Sequence, residues 1–283
     1  MGVHMSDEFF DRPVFIVNPP RSGSTFLFEI LTQAPHLFTI GGESHNVIEG
    51  VPALAAAARG WESNRLTADD ATPATTAALR SRFGHLLRDR HGAAPISWPV
   101  RMLEKTPKNS LRISFLAKVF PEARFIYLYR DPRQVLASMM EGWESGRFRT
   151  YPGLPAWNGV LPWSFLLTPG WRDLRNLPLN QIVAAQWAAS TRILLDDLAQ
   201  IPAERRTVAH YGRLVAEPET EVRRLCACVQ LEWDRSLRSD LPVSVYTVSP
   251  PDPDKWRARE TEIKQVLPSL RDLLARLERM GLA

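Results

Sequence analysis

The sequence predicts an α/β fold with a central parallel β-sheet flanked by helices, and three observations carry that expectation. Val14 to Val17 is a short β-branched run closed by Asn18-Pro19-Pro20, and after a Gly-Ser turn a helical pattern runs from Ser24 to Gln33. The unit then recurs. "KNSLRISFLAKVF", from Lys108, is apolar at helical spacing and stops at Pro121, and "RFIYLYR" reads as a buried strand ending at Arg130. Asp131 then stands as an N-cap with Pro132 at the first helical position, so a further helix leaves that strand. Strands alternating with helices argue for a parallel sheet covered on both faces, with ligands held beyond the carboxyl ends of the strands.

The remaining elements follow the same logic. Asn180 to Gln200 reads as a strong helix, "RRTVAHY" as a strand, and Glu217 to Val229 as a helix started by Pro218. The tail "KWRARETEIKQVLPSLRDLLARLERMG" is helical, with a break expected at Pro268 and a stop at Gly281. Val51 to Arg90 is Ala-rich and polar, with helical stretches expected around 52–59 and 74–90. Trp143 to Trp171 is irregular and dense in Trp, Phe, Tyr, Pro and Gly, the character of a lid or binding surface. No internal repeat interrupts the pattern. The expected organisation is one domain over 1–283, with 46–100 and 143–175 as insertion or lid segments.

Composition narrows the function classes. At 283 residues, 45% hydrophobic and 23% charged, the chain can bury a full core. The net charge is +4, and Lys105, Lys108, Lys118, Lys255 and Lys264 are the only lysines, so arginine carries most of the positive charge. Arginine suits fixed, bidentate oxyanion recognition. No run of five basic residues exists, which argues against a nucleic-acid partner. No window approaches 18 uninterrupted apolar residues, and the N-terminus has no positive region followed by an apolar stretch. The expectation is a cytoplasmic protein without a membrane span. Cys226 and Cys228, two apart on a helix, point about 200° apart and are expected as ordinary buried thiols.

The first strand-to-helix loop, "NPPRSGSTF", is P-loop-like but lacks the lysine and the magnesium apparatus of an ATP-binding loop. It offers Arg21, Ser22, Gly23, Ser24 and Thr25: backbone amides and hydroxyls at a helix N-terminus, suited to a tetrahedral anion. In "YLYRDPRQVLASMMEGW", Arg130 leaves a strand end and Ser138 lies on the next helix, tilted back towards its start. That arrangement fits a second anion. Two anion sites at neighbouring strand ends suit a ligand with two phosphate-like groups.

With these residues, the chain resembles the sulfotransferases that use 3′-phosphoadenosine 5′-phosphosulfate, and within them the branch of bacterial and tyrosylprotein sulfotransferases. The resemblance rests on "PPRSGSTF", "GGESH", "LEKTPKNSLRISFL", "FIYLYRDPRQVLASM", "VAHYGRL" and "SPPDPDKW", in the family's order. It implies that Arg21 to Thr25 grip the 5′-phosphosulfate, that Arg130 and Ser138 hold the 3′-phosphate, and that Tyr211 contacts adenine. Lys255 and Trp256 resemble the tail that closes over the nucleotide, although the glycine-rich form of the aryl enzymes is absent. The resemblance also implies a metal-free reaction that releases adenosine 3′,5′-bisphosphate.

Sulfuryl transfer is an in-line displacement and needs a base for the acceptor hydroxyl and a cation for the leaving phosphate. Glu43 resembles the tyrosylprotein branch's basic glutamate, and His45 is the other candidate. Lys105, in "LEKTP", matches the lysine that contacts the donor's bridging oxygen. Glu104 reads as its structural partner, Thr106 as a capping hydroxyl and Glu49 as a solvated helix-start charge. Trp143, Phe148, Tyr151, Trp157, Trp163, Phe165 and Trp171 are expected to wall a hydroxylated, apolar or aromatic small-molecule acceptor. A homodimer is compatible with this reading. The rivals are a P-loop kinase, which needs the missing loop lysine and a magnesium carboxylate, and a non-catalytic nucleotide-binding module.

Overall fold

The computed structural model describes residues 9–237 and 252–282. Its main sheet is built from β1 (Val14–Val17), β2 (Leu37–Phe38), β3 (Arg101–Lys105), β4 (Arg124–Tyr129) and β7 (Arg206–His210). Their order is β2-β3-β1-β4-β7, and every pairing is parallel. A small antiparallel pair, β5 (Arg149–Tyr151) with β6 (Trp163–Ser164), lies apart from it. The fold class expected from the sequence is the one observed.

Alternation along β1 explains the layering. Val14 and Ile16 face one apolar cluster, with residues of α1 (Ser24–Leu31), α7 (Tyr211–Ala216) and α8 (Pro218–Val229). Phe15 and Val17 face the other, with α4 (Ile113–Val119), α5 (Pro132–Ser145), α6 (Leu179–Ala199) and α9 (Glu260–Arg279). All four residues of β1 are fully buried, as a central strand covered on both faces requires. Register does the rest: Ile16 pairs with Lys105 and Val17 with Tyr127, so the loops after β1, β3 and β4 open at one edge.

Four expectations are corrected. The 52–59 stretch is two 3-10 turns, Pro52–Leu54 and Ala56–Arg59, ended by Gly60 in the left-handed region at φ 65°. The next helix, α3 (Pro73–Leu86), stops before residue 90 because Arg88 exchanges two backbone hydrogen bonds with Thr39 at 2.8 and 2.9 Å. Pro268 does not break α9. It lies on the exposed side, while Ile263, Val266, Leu270, Leu273 and Leu277 repeat at helical spacing into the core and hold the helix through it. Cys226 is buried, but Cys228, on the opposite side of α8, is exposed.

The aromatic segment is the fifth correction. Trp143, Trp163 and Trp171 are 1% exposed or less, and with Trp157 they form one cluster whose ring centroids lie 4.8–6.4 Å apart. Each indole N–H is satisfied: Trp143 by Gln186 Oε1, Trp157 by the Leu161 carbonyl, Trp163 by that of Leu166 and Trp171 by that of Trp61. These tryptophans are therefore packed on one another rather than presented as an acceptor wall, while Phe148 and Tyr151 stay half-buried. Trp163→Ala should cost about 3–5 kcal/mol of stability, read as a lowered urea midpoint; an unchanged midpoint would contradict the packing.

Candidate active site

The loop after β1 is turned by two left-handed residues, Arg21 at φ 67° and Gly23 at φ 95°, and α1 begins at Ser24. Alternation of this kind directs successive backbone amides to one side, as anion-binding loops require. Gly23 is required twice over: a Cβ there would lie 2.4 Å from the Tyr211 ring. Ser22 is buried, its hydroxyl donating to the Pro19 carbonyl at 2.8 Å, so its side chain braces the loop.

Arg21 connects the two expected anion sites. Its Nε donates to Ser138 Oγ at 3.1 Å, its guanidinium lies 4.6 Å from the Phe148 ring centre, and its carbonyl accepts from Arg130 Nη1 at 3.3 Å. Arg130 in turn stacks on Tyr211 at 4.4 Å and donates through Nε to Gln134 at 3.0 Å. Arg21, Arg130, Ser138, Gly23 and Tyr211 thus meet in one cluster. Burial pulls the affinity of Arg21 for its proton down, with Glu141 opposing and Arg130 and Arg147 adding to it; burial does the same to Arg130. Crowded, partly desolvated guanidiniums of this kind favour an anionic ligand.

Lys105 ends β3, 3% exposed, and joins this cluster to the "GGESH" loop. Its ammonium donates to Glu43 Oε1 at 2.7 Å and to Thr25 Oγ1 at 3.3 Å. His45 Nδ1 lies 3.6 Å from Glu43 Oε2 and has no hydrogen-bond partner among the described residues. Burial lowers the His45 pKa, and Lys108 and Arg112 reinforce this against the opposing charges of Glu43 and Glu49, so the ring is held neutral. The sequence's three chemical candidates therefore stand side by side.

Glu104 explains why. It points away from Lys105 on β3, is 1% exposed, and accepts from Thr106 Oγ1 at 2.5 Å and Asn109 Nδ2 at 2.7 Å. Burial drives its pKa up, although Thr106, Ser44, Asn109 and Lys105 all oppose it. Thr106 is not a side-chain cap. Its hydroxyl accepts the Ser44 backbone N–H at 2.7 Å, pinning the residue between Glu43 and His45.

Glu49 is not a solvated charge either. It lies at the end of the short helix α2 (His45–Ile48), one turn after His45, and binds Arg112 Nη2 at 2.7 Å and Lys108 Nζ at 2.8 and 3.1 Å. Burial raises its pKa, but the charges of Arg112 and Lys108 outweigh this and keep it a carboxylate. Lys108 also reaches Tyr151 Oη at 3.0 Å, and Asn64 Nδ2 donates to the same oxygen at 2.6 Å. Local spacing in the sequence did not signal this hub, because Lys108 lies in the 3-10 turn Pro107–Leu111 and Arg112 is the non-helical residue, at φ −135°, between that turn and α4.

The tail residues sit on α5 instead of in the loop cluster. Lys255 pairs with Glu141 at 2.7 Å, three residues beyond Ser138, and Trp256 lies between Arg133 and Arg257 at 4.8 and 5.1 Å. The Ser249 to Pro251 part of "SPPDPDKW" lies outside the described residues. No group of three metal-ligating side chains occurs among the described residues. Nor is any helix among them long and apolar enough to cross a membrane.

Fold and site together define an α/β protein with a parallel sheet whose first loop, after β1, gathers backbone amides and arginine at the start of a helix. A family model described as the sulfotransferase family matches residues 13–235, and the chain belongs to that family. It is similar to protein-tyrosine sulfotransferase A of Caenorhabditis elegans, with 24% identity over 235 residues, covering 81% of this chain and 53% of that protein. It is similar also to protein-tyrosine sulfotransferase 1 of Danio rerio, with 24% identity over 245 residues, covering 82% and 58%. The chain thus spans rather more than half the length of these two relatives. A sulfotransferase structure from Alicyclobacillus acidocaldarius shares the fold at 15% identity and a TM-score of 0.51, covering 95% of this chain and 96% of that one.

His45 makes the site sensitive to acid. With its folded pKa below the ordinary 6.5, the folded state holds fewer protons, so stability is present above about 6.5 and lost as pH falls below it. Between about pH 7.5 and 5.5 the wild-type Tm should fall further than that of His45→Gln; equal falls would mean that His45 is not held neutral.

Proposed function

We propose that this protein moves the sulfuryl group of 3′-phosphoadenosine 5′-phosphosulfate to a hydroxyl of a small-molecule acceptor. One observation carries the reading: the Lys105 ammonium lies between Thr25, at the start of α1, and Glu43, beside His45. Leaving-group cation, anion loop and base thereby converge on one point, as an in-line displacement needs.

The residues present fit this donor. Arg21 and Arg130 are half-buried and Lys105 is buried, and the Arg21–Gly23 turn aims amides at the start of α1. When bound, the donor supplies a sulfuryl group on a phosphate leaving group. Arg21, Ser24 and Thr25 would hold its 5′ end, Arg130 and Ser138 its 3′-phosphate, and Tyr211 its base. Lys255 and Trp256 would brace α5 beside Ser138 through Glu141 and Arg133.

The chain's own residues then divide the proton and charge work. Glu43 takes the acceptor's proton; Lys105, turned towards the leaving oxygen, releases Glu43 Oε1 to do so and steadies the developing charge. Neutral His45, beside Glu43 Oε2, orients the carboxylate or the acceptor. Segments 46–100 and 143–175 are joined as one unit: Asn64 exchanges hydrogen bonds with Leu167, and Arg172 binds Glu62 and the Gly60 carbonyl. In this reading they form the acceptor wall within a single domain.

Transfer from radiolabelled donor to a panel of phenols and alcohols tests the proposal. Lys105→Ala should cut kcat by about 10²–10³, the loss expected for one oxyanion donor. Glu43→Gln should lower kcat by roughly 10²–10⁴, the scale of general-base catalysis. No transfer by the wild type would leave a binding module, activity surviving both substitutions would overturn the roles given to Lys105 and Glu43, and activity surviving Glu43→Gln but not His45→Ala would make His45 the base.

A further inference from the structure

We infer that the Tyr151 hydroxyl is a forced hydrogen-bond donor to the acceptor, so the preferred acceptor carries a second oxygen besides the hydroxyl that is sulfated. This rests on the acceptor reading above and follows from what Tyr151 can and cannot do.

A phenol oxygen offers two lone pairs and one hydrogen. Lys108 is an ammonium ion-paired with Glu49 at 2.8 Å and, having no lone pair, donates to Tyr151 at 3.0 Å. Asn64 has one orientation open to it: its Oδ1 accepts the Leu167 backbone N–H at 2.6 Å, so its amide nitrogen is the atom that faces Tyr151, at 2.6 Å. Both lone pairs of Tyr151 are therefore taken by donors. Its hydrogen finds no acceptor among the described residues: the Glu49 oxygens accept from Lys108 and Arg112, and neither is in hydrogen-bond contact with Tyr151.

Position assigns that hydrogen to the acceptor. Glu49 stands four residues after His45 across α2, so the two side chains share a face, and Lys108 carries the link from Glu49 to Tyr151. Three residues earlier, Phe148 lies under Arg21 of the anion loop. β5 thus begins next to the donor cluster and ends at the Glu49 hub, whose Lys108, Glu49 and Arg112 lie close enough to His45 for their charges to act on it. Tyr151 is half-buried, and Trp61 meets its ring edge-on at 5.7 Å, so the surroundings of the hydroxyl are apolar as well as polar. A hydroxylated ring system with a remote ether, carbonyl or hydroxyl oxygen matches this pairing of an apolar wall with a single directed donor.

Titration of the bisphosphate-loaded protein with a naphthol, the matching naphthalenediol and the diol's monomethyl ether tests the inference. Diol and ether should bind about three- to tenfold tighter than the naphthol, because a donating Tyr151 serves an ether oxygen as well as a hydroxyl. Tyr151→Phe should bring all three to one affinity. Equal affinities in the wild type, an ether no better than the naphthol, or a preference that survives Tyr151→Phe would each overturn it. Should the variant fail to fold, the wild-type ether comparison decides alone. Failure of the bisphosphate to bind at all would instead count against the donor reading, so the two failures are distinguishable.

Discussion

A buried carboxylate, Glu104, governs the geometry of the site. Because successive side chains of β3 point to opposite faces, Glu104 enters the protein interior while Lys105 enters the site. An acceptor group in that interior must be satisfied, and Thr106 and Asn109 do so. Thr106 also accepts the Ser44 amide and shares a hydrogen bond with the Ser44 hydroxyl at 3.1 Å, and this holds Glu43 and His45 beside the end of the same strand. Removing a partner from a buried acceptor of this kind costs about 1–3 kcal/mol, so the loop bearing Glu43 and His45 is tied to the core rather than left to sample.

Sheet topology supplies the second constraint. β1 is central, flanked by β3 and β4, and its partners' carboxyl ends deliver Lys105 and Arg130 on either side of the first loop. Positive charge gathers there because three elements each contribute one cation. The cost of desolvating these charges shows in the lowered pKa directions of Arg21 and Arg130, and an anionic ligand relieves it. The Glu49 hub is a separate arrangement in which the carboxylate is matched by Arg112 and Lys108, and the capacity left over among the described residues lies on the Tyr151 hydrogen and on Arg112 Nη1.

How much of this was legible in the sequence depends on the range of the contacts. β1, the turn after it, β4 and the Asp131-Pro132 helix start were readable because propensity, capping and turn chemistry are local, and Lys105 and Glu43, singled out by resemblance alone, lie in contact. Glu49 was misjudged because its partners Lys108 and Arg112 lie 59 and 63 residues away in the chain. The tryptophans looked like a binding surface because irregular backbone hides periodicity, yet they pack on one another and on α6 through Gln186. Pro268 was overruled by five buried apolar residues on one face of α9. In each case tertiary packing outweighed a local signal.

The central claim is that the loop after β1 and the end of β4 form one site for a ligand with two anionic ends. Calorimetric titration with adenosine 3′,5′-bisphosphate, beside ATP with magnesium and AMP, tests it most directly. The account predicts tight binding of the bisphosphate, weak binding of the other two, and loss of most of the affinity in Arg130→Ala. Preference for ATP with magnesium, or bisphosphate binding indifferent to Arg130→Ala, would contradict it.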